Sequence, residues 1–89
     1  MRFGIEDNRL VYVVQAGDFI KVGIATNIQQ RMREMQVGCP MKITLLTITK
    51  AKYPRQLEKR IHSELKHCHV RGEWFQAIPA LEYLRNLKF

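Results

Sequence analysis

No run of apolar residues in this chain approaches the length of about 20 needed to cross a bilayer. Nor does the N-terminus, Met1-Arg2-Phe3-Gly4-Ile5-Glu6-Asp7-Asn8, lead into the apolar stretch of a signal peptide. No membrane association is therefore expected, and the location expected is cytoplasmic. Cysteine is scarce: Cys39 and Cys68 stand far apart and form no CxxC pair, so free thiols are expected in a reducing compartment. Low-complexity tracts and internal repeats are absent, and 89 residues leave room for one domain only, expected over 1–89. Several motifs are missing as well. There is no P-loop, no GxGxxG and no HExxH, and no serine sits in a nucleophile elbow. Acidic residues are also few, 8 against 15 Lys and Arg, a net charge of +7. That balance excludes a chain built to hold cationic ligands and points to a polyanion, of which nucleic acid is the commonest.

What is present reads as an α+β domain. Leu10-Val11-Tyr12-Val13-Val14 and Phe19 to Ile24 are β-rich runs on either side of Gln15-Ala16-Gly17-Asp18, which is turn chemistry; together they predict a hairpin. In the second run Ile20, Val22 and Ile24 share one face and Lys21 projects from the other. Thr26-Asn27 supplies a helix cap, and a helix over about 28–37 places Ile28, Met32 and Met35 in one stripe with Arg31 at its edge. Gly38 and Pro40 end it. Lys42 to Thr49 is a third strand candidate. Pro54 opens a second helix to about His67, with Leu57, Ile61 and Leu65 inward and Glu58 and His62 one turn apart on the flank. A polar loop through Arg71-Gly72 to Glu73-Trp74-Phe75 follows, then a last helix from Pro79 that buries Leu81, Leu84 and Leu87. The expected architecture is a three-stranded, mainly antiparallel sheet flanked by helices in the order β-β-α-β-α-α. Trp74 and Phe75 are both expected as core anchors.

One combination carries chemistry. A tyrosine lies mid-strand (Tyr12), Lys21-Val22-Gly23 lies in the strand beside it, Arg31 lies one turn into the next helix, and Gly72-Glu73-Trp74-Phe75 comes much later. This pattern resembles the GIY-YIG nuclease superfamily, in particular its small T5orf172 or Mug113-like type. Leu10-Val11-Tyr12 is similar to the first signature, with Leu10 where the family has glycine. Lys21-Val22-Gly23 is similar to the second, with lysine where the family has tyrosine. The step from Gly23 to Arg31 matches the family's spacing, Glu58 and His62 resemble its "LE…H" element, and Gly72 to Phe75 resembles its closing GEWF. The likeness covers about 10–76.

The resemblance implies hydrolysis of DNA phosphodiesters, leaving 5′-phosphate and 3′-hydroxyl ends; RNA is not excluded as substrate. It implies Glu73 as ligand of one Mg²⁺ or Mn²⁺ ion, a cation that suits a single carboxylate plus water. It implies Arg31 as stabiliser of the phosphate charge and Tyr12 as general base, with Lys21 lowering the tyrosine or orienting the water. His62 is expected to bond to Tyr12 or phosphate, and Glu58 to orient it; Gly23 and Glu58 stand behind the catalytic groups. Arg33 and Arg71 are expected to contact nucleic acid. No helix-turn-helix or zinc-finger reader is present, so specificity is expected from DNA structure, a partner protein or a homodimer. Two rival readings remain. One is a non-catalytic DNA-binding or interaction module of the same fold. The other is a zinc site drawn from His67-Cys68-His69, Cys39 and His62. Convergence of Tyr12, Lys21, Arg31 and Glu73 on one cleft separates the nuclease from the inert module.

Overall fold

The computed structural model describes residues 7–87; residues 1–6, most of the N-terminal stretch weighed as a leader, lie outside them. The first two strands, β1 (Leu10–Ala16) and β2 (Phe19–Ala25), pair along their whole length from Leu10↔Ala25 to Ala16↔Phe19. Only Gly17 and Asp18 remain for the turn, and Gly17 has φ 59°, a left-handed value that favours glycine in tight hairpins. β1 thus runs two residues deeper into the turn than expected, while β2 begins at Phe19 as expected.

Helix α1 (Ile28–Val37) starts where expected, with the Asn27 side chain accepting from the Gln30 N–H at 3.0 Å. Strand β3 (Thr44–Lys50) pairs with the outer side of β1, with a register shift between Val13 and Val14. Helix α2 (Pro54–Glu64) has its proline in the first turn, where no N–H is lost. It gives way to a 3-10 turn over Lys66–Cys68, short of the His67 end expected for a continuous helix.

The sheet departs most from expectation. It has five strands, not three. Residues expected as loop form β4 (His69–Arg71) and β5 (Trp74–Gln76), joined through Gly72 at φ 55°. Helix α3 (Ala77–Leu87) follows. The element order is therefore β-β-α-β-α-β-β-α, and the strands lie in the order β3-β1-β2-β5-β4 with every pairing antiparallel. Strands of 3 residues are too short to show a period of two. They form because β2 offers the hairpin an open edge, over Phe19↔Gln76 to Lys21↔Trp74.

Alternation divides the side chains between two cores. Val11, Val13, Ile20, Val22 and Phe75 face α2 and α3, packing on Ile61, Leu65, Ala80 and Leu84. Tyr12, Val14, Ala16 and Ala25 face α1 and meet Ile28, Met32 and Met35. The inward stripes expected on the three helices all point into these cores. Phe75 is 1% exposed, a core anchor, whereas Trp74 on the other face is half-buried: it packs against the core of Tyr12, Val14 and Ala16 and also lines an open cleft.

Candidate active site

Strand β5 pairs with β2 only as far as Lys21. Beyond that, among the described residues, β2 has no strand on this side; the Val22 N–H donates to the Glu73 carbonyl at 3.4 Å and the Val22 carbonyl accepts from the His62 ring at 2.7 Å. Chemistry-bearing side chains gather at this edge from both sides of the sheet.

Tyr12 arrives from β1. It stands directly opposite Gly23, and its ring lies across that glycine: a Cβ there would be 2.5 Å from Oη and 2.7 Å from Cζ. The missing side chain is what lets the phenol pass over β2. Tyr12 is 1% exposed, and its hydroxyl makes one hydrogen bond among the described residues, to Met35 Sδ at 3.9 Å. Burial raises the phenol above its usual pKa, and the nearby Glu73 and Glu58 carboxylates add to this. The Arg31 guanidinium pulls the other way.

Arg31 comes from α1. Its side chain is 44% exposed, and Nε lies 3.5 Å from Glu34 Oε1 on its own helix. An exposed pair of this kind is weak, so the guanidinium remains available to an anion. Lys21 sits on the same sheet face, 19% exposed, with Nζ 3.8 Å from Glu73 Oε1 and 5.7 Å from the centre of the Trp74 ring. Glu73 itself is 43% exposed in its side chain and faces solvent across this edge.

Glu58 approaches the same point from α2 on the opposite sheet face. Its carboxyl is close enough to feel the Glu73 charge, and one oxygen, Oε2, is buried without a partner among the described residues. Burial first, and then the Glu73 charge, raise the Glu58 pKa, while His62 and Arg55 oppose this weakly. Motif spacing pairs Glu58 with His62; its closeness to Glu73 is invisible in sequence, because the two are joined only through the packing of α2 on the sheet.

His62 is held apart from Tyr12. Its ring donates from Nε2 to the Val22 carbonyl at 2.7 Å and meets Phe75 edge-on at 5.1 Å, on the sheet face away from the phenol. Arg71 lies on β4 beside the cleft that Trp74 lines, whereas Arg33 is exposed on α1, on the flank away from Arg31. The residues weighed for zinc do not assemble. Cys39 and Cys68 are free, His69 bonds to the Gly72 carbonyl at 2.7 Å, and no three His, Cys, Asp or Glu side chains among the described residues form a metal-holding group. Among the described residues no helix is long and apolar enough to cross a membrane.

Comparison with protein families matches the T5orf172 domain over residues 9–87. Neither curated proteins nor solved structures give a match.

Proposed function

The chain belongs to the T5orf172 domain family, and on that premise we propose that it is a small divalent-cation-dependent endonuclease or nickase of the GIY-YIG kind, acting on DNA phosphodiesters. One observation carries the reading: the buried Tyr12 hydroxyl lies under the influence of Arg31 and Glu73, and Lys21 lies 3.8 Å from Glu73, so that groups from four segments of the chain gather at one sheet edge where Arg31 and Glu73 are exposed.

Each group has a defined part. Arg31 is exposed enough to grip a phosphate through its fork of donors and to offset charge growing on the phosphoryl oxygens. Tyr12 is protonated at neutral pH, since burial and carboxylates raise it. It takes up a proton from attacking water once ionised, and Arg31 favours that ionised form. Lys21 steadies Glu73 in the free protein and presents a second cation toward the phosphate.

The residues also suit a divalent ion. Mg²⁺ accepts one or two carboxylates and keeps part of its water shell. Glu73 is 43% exposed, and the Glu58 carboxyl, with an unpartnered oxygen, is near enough to feel its charge; these two would hold the ion, Mg²⁺ or Mn²⁺. When bound, it supplies Lewis-acid stabilisation of the phosphoryl and leaving 3′-oxygens.

A lone site of this kind cuts one strand at a time, and choice of sequence falls to DNA structure, a partner protein or a second copy of the chain. The alternative is a DNA-binding or interaction module without catalysis, and the Lys21–Glu73 pair favours it in so far as it already neutralises the carboxylate. Nicking of supercoiled plasmid with Mg²⁺ at low salt separates the two. Nicking that Glu73→Ala and Tyr12→Phe both lose supports the nuclease. Equal traces in all three proteins, or salt-sensitive binding without nicking, support the inert module.

A further inference from the structure

Next to the catalytic edge, on the α1 face of the sheet, lies a cleft of about 550 Å³, within the range of sites that take small ligands. Its walls are apolar. Phe19, Met41 and Val70 are 36%, 40% and 48% exposed, and all three line it together with Met35 and Trp74. Large exposed apolar side chains gathered in one place mark a binding surface. The rim is cationic: Lys21 and Arg71 line it, while the acid beside them, Glu34, is engaged by Arg31 at 3.5 Å and by the Gln30 amide at 3.2 Å.

The cleft is built before any ligand arrives. Its outer wall is the segment after α1, and the Gln36 side chain ties that segment down. Gln36 Nε2 donates to the Met41 carbonyl at 2.9 Å and to the Cys39 carbonyl at 3.4 Å, and the Ile43 N–H donates to Gln36 Oε1 at 2.8 Å. The Met41 thioether in turn lies against the β1–β2 turn, filling the space a Cβ on Gly17 would take.

The cleft is also continuous with the site. Met35, in its wall, is the residue whose sulfur receives the Tyr12 hydroxyl bond, and Lys21 belongs to both. A phosphate held at Arg31 therefore has an apolar recess with a cationic rim one side chain away.

Resting on the nuclease reading, we propose that this cleft receives an unpaired nucleobase adjoining the scissile phosphate, so that the preferred substrate is single-stranded or locally unpaired DNA. An apolar, aromatic-bearing recess beside a phosphate-binding arginine matches the two halves of a nucleotide. Bases stack on aromatic side chains without regard to sequence. A base still in a duplex must first be unstacked and unpaired, at a cost of a few kcal/mol. An apolar peptide would leave the cationic rim unanswered.

The chain has 1 tryptophan, and it lines the cleft, so its fluorescence reports occupancy directly. The full chain, in chelator to prevent cleavage, is titrated with short oligothymidylate, with an abasic oligomer of equal length and with a duplex of equal length. Saturable quenching by oligothymidylate, with much weaker quenching by the other two, is expected. Phe19→Ser weakens the oligothymidylate response about tenfold and leaves abasic binding, followed by anisotropy, unchanged. Met41→Ala acts in the same direction, and thermal melts show that both variants fold. Equal quenching by the abasic oligomer or the duplex overturns the proposal, as does quenching that both variants retain. So does a cleft that binds an apolar peptide and ignores oligothymidylate. Because no cation is present, base-dependent quenching in a protein that never nicks DNA removes the nuclease reading alone, and nicking without such quenching removes the cleft assignment alone.

Discussion

The ring of Tyr12 occupies the space that a side chain on Gly23 would fill, with Oη 2.5 Å from the position of the missing Cβ. The two residues are cross-strand partners, so the glycine is part of the phenol's seat and not merely a gap in the strand. A methyl group at that position would push the phenol off the edge or spread the strands. Gly23→Ala is therefore expected to abolish nicking and to destabilise the fold by about 1–3 kcal/mol. Gly38→Ala is the control, since a Cβ there meets nothing within 4 Å; its stability stays within about 0.5 kcal/mol of wild type. Urea denaturation of the three proteins checks both values.

Glu58→Gln is expected to stabilise the protein at neutral pH by about 1 kcal/mol, because it gives a buried, unpartnered acceptor a donor and removes a like charge beside Glu73. The sign follows from linkage. The folded-state pKa of Glu58 is raised, so its carboxyl favours folding below the ordinary carboxylate range and opposes it as pH rises through the folded value. His62 and Arg55 face it with opposite sign, but their effect is smaller than that of burial and Glu73. The variant's gain in Tm is thus present at pH 7 and gone by about pH 3.5. A gain of equal size at both values would show that charge is not its source.

Nicking is expected to accelerate with pH across the alkaline range without levelling off below about pH 10. Tyr12 is the base proposed, and burial and Glu73 hold its proton more tightly than usual. Tyr12→Phe removes the rise as well as most of the rate. A plateau near neutrality in the wild type would assign the base to another group.

Mg²⁺ is expected to raise the Tm of the free protein, since a ligand that binds only the folded state stabilises it by about 2.7 kcal/mol at a hundredfold excess over its Kd. Glu73→Ala loses the response and Glu58→Gln reduces it. A chelator added to purified protein leaves the Tm unchanged, because the residues weighed for zinc do not gather into a metal-holding group and several are engaged elsewhere or buried. A fall in Tm on chelation would reinstate a structural metal.

Most of the fold is legible residue by residue. Asn27 capping α1, Pro54 opening α2 and Gly17 turning the hairpin are local effects, set within a few residues. The inward stripes of the three helices are legible too, because periodicity over ten residues averages out single exceptions. Strands β4 and β5 are not, since a three-residue strand has no period and owes its form to the edge it joins. The ends of α2 and α3 escape the sequence for a similar reason. α2 gives way to the 3-10 turn at Lys66–Cys68, where Leu65 and Cys68 are buried in the core, and α3 begins at Ala77, whose N–H donates to the Asp18 carbonyl across the sheet end at 2.9 Å.

By itself the sequence determined which residues face inward, the order of the longer elements and the list of groups able to do chemistry, because propensity, capping and alternation are near-neighbour effects. The tertiary structure decided who meets whom. Glu58 lies near Glu73 as well as one turn from His62, Lys21 reaches Glu73, and Trp74 opens onto a cleft while Phe75 next to it is buried. Such meetings depend on how helices seat on the two faces of the sheet and on where β5 stops along β2. Those are properties of packing, which no stretch of chain carries alone.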